Sequence, residues 1–187
     1  MNSTYRKSYE LILSELTQSL SSINYEEVET LVDEILRAEK VFVVGVGRVL
    51  LMLQAFVKRL NHLGVPAFYV GQIDEPAIGP NDLLIVGSGS GESVIPVTIT
   101  KVAQKYNPRV VHIGSNMNST VTSMSVAHVR IPCRTKLALE DEIASGQPMS
   151  SLFEQSLLLL LDTVSIMIVE KQKINIPDLW QKHANLE

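Results

Sequence analysis

Cysteine and runs of like charge are scarce in this chain of 187 residues. Its only cysteine, Cys133, cannot form an internal disulfide, which favours a reducing compartment, the cytoplasm. There is no run of basic residues and the net charge is −4, so we expect neither a nucleic-acid partner nor a basic membrane anchor. The N-terminal residues lack the apolar core of a signal peptide. The longest apolar run, 156–169, is broken by Asp162 and too short to span a bilayer, so we predict no membrane segment.

Several familiar ligand-binding motifs are also missing. A Walker loop needs a glycine-lysine pair, which the chain lacks, and a dinucleotide fingerprint needs a third glycine where Leu50 stands. The serine hydrolase motif GxSxG has its nearest match at 87–91, where Gly89 occupies the position of the nucleophile. The 4 histidines are scattered without ligand spacing. These absences argue against nucleotide, hydrolase and metal chemistry.

Apolar patterning predicts an α/β fold. Apolar residues at helical spacing predict two leading helices, at 5–20 and 25–38. Five short apolar runs then predict strands at 41–44, 67–70, 83–87, 109–114 and 127–131. Further helices are predicted near 119–125, at about 149–172 and from Ile176. Strands this apolar, alternating with helices, are typical of a parallel sheet covered on both faces. We therefore predict a doubly wound three-layer α-β-α sandwich with a five-stranded parallel sheet.

The loop GSGSGES, at 87–93, has the composition of a phosphate cradle. Ligands of open parallel sheets bind beyond the carboxyl ends of the strands, where the loops at 45–48, 87–93 and 113–120 are predicted to meet. In the second loop, glycines free the backbone amides to turn inward, serines supply hydroxyls, and a helix predicted to begin near Glu92 adds its positive end. A flexible turn is the simpler alternative. The pattern indicates an anion without identifying the molecule that carries it.

Two titratable residues are candidates for proton transfer. Glu154 lies in an apolar helix start between Phe153 and Leu157, where a carboxylate is either a general acid-base or a partner of the helix dipole. His183 lies near the C-terminus, where a histidine is usually only solvated. Spacing alone does not decide between these alternatives.

Taken together, these motifs resemble the sugar isomerase (SIS) domain family and, within it, the 6-phospho-3-hexuloisomerases. The resemblance runs over nearly the whole chain as one domain, 1–187, with leading helices at 1–38 and a tail at 173–187 that completes the site. The matching pieces are GVGR (45–48), RLNHLG (59–64), VGQIDEP (70–76), SGSGES (88–93), RIP (130–132), QPMSSLFEQSLLLLLD (147–162) and HANLE (183–187). The glycine-serine loop is common to sugar isomerase domains, whereas the QPM-to-FEQ block and the HANLE ending discriminate more sharply.

The resemblance implies interconversion of 3-hexulose 6-phosphate and fructose 6-phosphate through an enediolate, with no cofactor and no metal. Glu154 would be the base, and His183 would assist from a neighbouring subunit of a homo-oligomer, a tetramer or a dimer. Arg48 would stabilise the enediolate or bind sugar oxygens. The substrate- and phosphate-binding residues implied are Gly47, Arg48, Ser88, Gly89, Ser90 and Ser93.

The sequence departs from the family pattern at two places. Val49 and Leu50 stand where the family usually has serine and glycine, and a lost hydroxyl contact costs about 1–3 kcal/mol, so the substrate could differ. The segment 134–146 matches no family motif but falls where substrate-facing loops are expected. Two other functions stay open: a non-catalytic sugar-phosphate sensor, and a lyase or deglycase of a phosphorylated sugar derivative.

Overall fold

The computed structural model describes residues 3–186, so Met1, Asn2 and Glu187, the last residue of HANLE, lie outside the described residues. The helices are α1 (Thr4–Ser21), α2 (Tyr25–Arg37), α3 (Gly47–Leu63), α4 (Val94–Ala103), α5 (Thr120–Ser123) and α6 (Ser151–Gln172). The strands are β1 (Val41–Val44), β2 (Ala67–Tyr69), β3 (Leu83–Gly87), β4 (Arg109–Gly114) and β5 (Ala127–Arg130). Short 3-10 helices lie at Gln104–Tyr106 and Ile176–Lys182.

The five strands form one parallel sheet in the order β2-β1-β3-β4-β5. After β1 the chain moves outward to β2 and then returns to the other side of β1 to form β3. The strand order therefore reverses between β1 and β3, and in doubly wound sheets this point opens a crevice for a ligand. The loops that follow β1 and β3 flank that crevice.

Helices cover both faces of the sheet. Alternate side chains of the strands, such as Val43 and Ile85, pack with α1, α2, α3 and α6 on one face. The other set, such as Phe42 and Leu84, packs with α4 and α5. Every residue of β1 and β3 is buried, because both strands have neighbours on each edge and helices on each face. The predicted three-layer sandwich with a parallel sheet is confirmed.

The helix α6 is the longest element of the fold. By length and composition alone, Ser151–Lys171 would be able to cross a membrane, but half of that stretch is buried within the protein. Its apolar residues pack against α1 and α3, and Leu157 and Val164 are fully buried. This packing explains the apolar run as the inner face of a core helix.

Differences from the predicted boundaries have local causes. The helix predicted from 149 begins at Ser151, because Met149 has a positive φ of 54° that helical backbone does not adopt. The second strand ends at Tyr69, just before a turn in which Gly71 has a φ of 94°. The predicted C-terminal helix is a 3-10 helix, as is common for a short terminal piece that begins with proline.

Candidate active site

A cavity of about 240 Å³ opens at the carboxyl ends of β1 and β3, the point where the strand order reverses. Four segments line it: the loop after β1, the loop at 87–93, the segment after β5, and the start of α6. Two parts of this lining were candidates in the sequence analysis, the glycine-serine loop at 87–93 and Glu154.

Serine hydroxyls stabilise the loop at 87–93 from within. The Ser88 hydroxyl accepts a hydrogen bond from the Gly91 amide at 3.1 Å, and the Ser90 hydroxyl accepts one from the Glu92 amide at 3.3 Å. Both serines are buried. Since each hydroxyl acts here as an acceptor, its own proton remains available for an anion in the cavity.

Backbone amides of the same loop complete a cradle. Within residues 3–186, the amides of Gly89, Ser90 and Ser93 have no hydrogen-bond acceptor. Ser93 is the N-cap of α4 and makes no side-chain capping bond, so its hydroxyl is also available. Free amides at a helix N-terminus favour an anion such as a phosphate.

A buried histidine supports the cradle from behind. His112 on β4 lies 2.9 Å from the Ser88 carbonyl through Nε2 and 2.8 Å from the Thr122 hydroxyl through Nδ1. Because a carbonyl only accepts, Nε2 carries the proton, and Thr122 donates to Nδ1. Burial lowers the pKa of His112 to about 4, although the bond to Ser88 opposes that shift. The ring is therefore neutral and holds the carbonyl of the cradle in place.

On the opposite wall, Glu154 is paired with Arg48. The Nε of Arg48, at the start of α3, donates to Oε2 of Glu154. The carboxylate is mostly buried, with 11% of its side chain exposed, whereas the arginine side chain is 60% exposed. Within residues 3–186 the two Nη groups of Arg48 have no acceptor, so they remain available to a ligand. Gly47 precedes Arg48 in a left-handed conformation, and neither residue is part of the cavity lining.

The segment 134–146, in which the sequence analysis recognised no motif, contributes to the cavity through Thr135 and Lys136. Glu142 closes this segment into a tight loop. Its carboxylate accepts hydrogen bonds from the Thr135 amide and hydroxyl and from the Leu139 amide, at 2.9–3.0 Å. The Thr135 methyl group packs against Gly89, where a Cβ would lie 3.0 Å from it. The loop is thus held directly over the cradle.

Helix α1 fixes the segment that leads into α6. The carboxylate of Glu15 accepts hydrogen bonds from the Ser145 hydroxyl, the Gly146 amide and the Gln147 side chain, at 2.7–2.9 Å. Burial by itself raises the pKa of Glu15, but these three donors outweigh it and lower the pKa. This carboxylate clamp orders the chain immediately before the helix that carries Glu154.

Val49 has a packing role in the structure. Gly45 follows β1 and Gly87 ends β3, and a Cβ on either would lie 3.0–3.2 Å from a Val49 methyl group. Val49 also lines the cavity. The apolar residue at this departure from the family pattern therefore fills the space between two strand ends and forms part of the cavity wall.

His183 is not brought to the cavity of its own chain. Its ring stacks on His62 with centroids 5.7 Å apart, at the far end of α3 from Arg48. Along the helix the two ends are about 21 Å apart, since an α-helix rises about 1.5 Å per residue. Glu154, Arg48 and the cradle thus come together within one chain, and His183 does not.

Sequence reasoning missed Lys136, Glu142, Glu15 and the support given by His112. For Lys136 and Glu142, the only sign of a site role in the sequence was their position in the loop after β5. No local motif marks Glu15 or His112. Among the residues described, 3–186, no group of three His, Cys, Asp or Glu side chains is arranged to hold a metal ion.

Comparison with known proteins places this geometry in a family. No protein-family model matches the sequence. A Bacillus subtilis protein named 3-hexulose-6-phosphate isomerase is 36% identical over 176 residues, which are 94% of this chain and 95% of that protein. The chain belongs to the 3-hexulose-6-phosphate isomerase family. This confirms the resemblance seen in the sequence motifs.

Solved structures agree with membership of the 3-hexulose-6-phosphate isomerase family. A Methanococcus jannaschii protein, whose crystal structure was used to infer that activity, has a TM-score of 0.83 at 25% identity, with 97% of this chain and 99% of that chain covered. The sugar isomerase domain of a Sphaerobacter thermophilus transcription factor has a TM-score of 0.76 at 16% identity, with 96% and 97% covered. The second likeness shows the sugar isomerase fold alone.

Proposed function

We propose that this protein interconverts 3-hexulose 6-phosphate and fructose 6-phosphate. The observation that carries the proposal is the cavity in which a paired, mostly buried carboxylate, Glu154, faces a phosphate cradle at 87–93. The name of the Bacillus subtilis relative supports the same reaction. A phosphate in the cradle anchors the far end of the sugar and leaves its carbonyl end toward the carboxylate.

The reaction moves a carbonyl between adjacent carbons and needs one base. Glu154 removes the proton from C2 of 3-hexulose 6-phosphate, which gives an enediolate across C2 and C3. The same carboxyl group returns the proton to C3, and the hydroxyl proton moves from O2 to O3. The product is fructose 6-phosphate, so atoms and electrons balance with no cofactor and no metal. Proton transfer by a positioned carboxylate contributes about 10²- to 10⁴-fold to such a reaction.

Arg48 has two tasks in this mechanism. Its Nε bond holds the carboxylate of Glu154 in one orientation. Its available Nη groups donate to the sugar oxygens, where negative charge develops in the enediolate. Ser88, Ser90 and Ser93, with the amides of Gly89 and its neighbours, hold the phosphate.

A homo-oligomer, a dimer or a tetramer, completes the proposed site. His183 lies far from the cavity of its own chain, which supports a position for it in the site of a neighbouring subunit. There it assists ring opening or proton movement. Exposed apolar residues on α1 and α6, such as Tyr5, Leu13 and Ile166, offer surface for such contacts. The buried free thiol of Cys133 supports a reducing location, the cytoplasm.

Solvent deuterium exchange tests the proposed function. Purified protein is incubated with fructose 6-phosphate in deuterated water, and both 3-hexulose 6-phosphate formation and deuterium at carbon are measured. Glu154→Gln should retain sugar-phosphate binding and lose both signals. Glu170→Gln makes the same change on an exposed part of α6 and should keep them. Wild-type protein with neither product nor exchange on any hexulose, fructose or pentose phosphate would contradict the proposal.

A non-catalytic sugar-phosphate sensor is the second candidate, because the same fold occurs in a transcription factor. A sensor binds the sugar phosphate and shows no exchange in wild-type protein or in Glu154→Gln. Release of an amine from a phosphorylated amino sugar would instead indicate a lyase or deglycase. The pairing of Glu154, which lines the cavity, with Arg48 favours the isomerase over both.

A further inference from the structure

The cavity contains a cation that the isomerase mechanism leaves without a task. Lys136 lines the cavity and forms no hydrogen bond or ion pair with any other residue in the range 3–186. The other positive side chain at the site, Arg48, is already committed to Glu154. Lys136 is thus the unpaired positive side chain that the described cavity lining offers to a phosphate dianion in the cradle.

The position of Lys136 follows from the packing of its neighbour. The Thr135 methyl group lies against Gly89, in the middle of the phosphate-binding loop. Since adjacent Cα atoms are about 3.8 Å apart and a lysine side chain is longer than that, the side chain of Lys136, which lines the cavity, is long enough to bring its ammonium group to the cradle. Arg48 lies beside the carboxylate of Glu154, which lines the opposite wall.

The loop that presents Lys136 is held rigidly. Three hydrogen bonds to Glu142 close it, and the Ile143 amide and carbonyl pair with Pro132 and Arg134 at 2.7 and 3.1 Å. Arg130 pairs with Asp141 on its outer side at 2.5 Å. Placing a lysine in this way reduces the entropy lost on binding, which is the benefit of a preorganised site.

We propose that Lys136 is the cationic ligand of the substrate phosphate, and that Glu142 is the residue that positions it. The inference rests on the proposed function, because it assigns the phosphate end of that same site. The hydroxyls and amides of 87–93 give the phosphate its orientation, and Lys136 neutralises its charge. The recognised chemistry is a phosphate dianion, whether part of a sugar phosphate or free.

Binding of inorganic phosphate and of fructose 6-phosphate, measured by calorimetry, tests the role of Lys136. Lys136→Met should weaken both about 10- to 100-fold, as expected for loss of a charge-assisted hydrogen bond. Lys136→Arg should stay within a few-fold of wild type. Lys105→Met removes the same charge just before the amino end of β4, at the opposite end of the strands from the cavity, and should change nothing. Unphosphorylated fructose should bind equally weakly to all four proteins.

Kinetics and a double variant separate positioning from general stability. Lys136→Met should raise KM more than it lowers kcat, because the phosphate is bound alike in substrate and transition state. Glu142→Ala should weaken phosphate binding in the wild-type background and have little further effect in Lys136→Met. Additive losses would overturn the positioning role of Glu142.

Two results would overturn the inference in distinguishable ways. If the wild-type protein binds neither inorganic phosphate nor fructose 6-phosphate, the loop at 87–93 is not a phosphate site. Both the inference and the proposed function are then overturned. If Lys136→Met binds phosphate as tightly as the wild-type protein, only the role of Lys136 is overturned. The isomerase proposal would then stand on the exchange experiment.

Discussion

Arg48 and Glu154 form an ion pair that joins the first turns of α3 and α6, although 106 positions separate them in the chain. The arginine is bound through Nε, and its two outer nitrogen atoms have no acceptor among residues 3–186. One side chain thereby orients the proposed base and offers donors to the substrate. A lysine cannot do both, because its single nitrogen lacks the forked geometry.

Replacing Arg48 tests this double role. Arg48→Met should lower kcat about 10²- to 10³-fold, comparable with loss of a donor to a developing oxyanion. Arg48→Lys should give an intermediate rate. The melting temperature should change little, since a pair with a largely exposed partner contributes little stability. A kcat for Arg48→Met within three-fold of wild type, on the order of 0.6 kcal/mol, would contradict the role.

Two glycines with the same backbone conformation should respond differently to alanine. Gly47 has a φ of 57° and no atom within 4 Å of an added Cβ, so Gly47→Ala should cost only the left-handed strain, about 1–2 kcal/mol. Gly91 has a φ of 65°, and an added Cβ would overlap the Ser119 side chain. Gly91→Ala should therefore destabilise the protein further and abolish phosphate binding. Urea unfolding and calorimetry measure both effects, and equal losses for the two variants would refute the comparison.

Stability should fall between pH 7 and pH 5 because of His112. Its pKa is about 4 in the folded protein and about 6.5 unfolded, so below 6.5 the unfolded chain takes up the proton first. The free energy of unfolding should be about 2 kcal/mol lower at pH 5 than at pH 7 from this residue alone, and the loss should end near pH 4. Urea titrations of wild type and His112→Gln measure it. If the free energy of unfolding of His112→Gln falls with pH as much as that of wild type, the pH dependence belongs to another group.

Mixing two inactive variants tests whether His183 acts across subunits. Glu154→Gln and His183→Ala are each expected to be nearly inactive. If the histidine comes from a neighbour, dissociating and reassembling an equal mixture should restore activity in about a quarter of the sites, those with both native residues. Each variant treated alone is the control. No restoration in a mixture shown to exchange subunits would argue against a shared site.

Val49→Ser tests whether this valine sets the substrate. The change removes methyl contacts at the ends of β1 and β3 and should cost about 1 kcal/mol of stability. It also adds a hydroxyl beside the sugar. A many-fold rise in kcat/KM on 3-hexulose 6-phosphate would indicate that the natural substrate is a different sugar phosphate. Val49→Thr, which keeps one methyl group and adds the hydroxyl, is the matched variant.

Features set by neighbouring residues were predictable from the sequence. The five strands are short apolar runs between turn residues, and burial on both faces is what makes them apolar. The cradle was visible because 87–93 contains its glycines, serines and helix start in one stretch. Strand order follows less directly, since β1 pairs with both β2 and β3.

Features set by distant contacts were not predictable. Lys136 enters the cavity because Glu142 closes its loop and Thr135 packs on Gly89. His112 supports the cradle because the sheet register places it opposite Val86, one strand away from the loop. Neither contact leaves a local pattern. His183 was identified through family resemblance, and no element of its own chain brings it to the cavity.

The hydrogen bonds between Glu15 and 145–147 give the first helix a role apart from the sheet. A chain shortened to begin at α2 retains the residues of all five strands, of the cradle and of the loop with Lys136. It loses the carboxylate clamp that orders the start of α6, and with it the packing of α1 against α6, including the Ser19–Ser156 hydrogen bond of 2.8 Å. Glu15→Gln weakens the clamp and leaves the packing of α1 in place, so this one helix allows the positioning of the proposed base to be changed separately from the core that the helix covers.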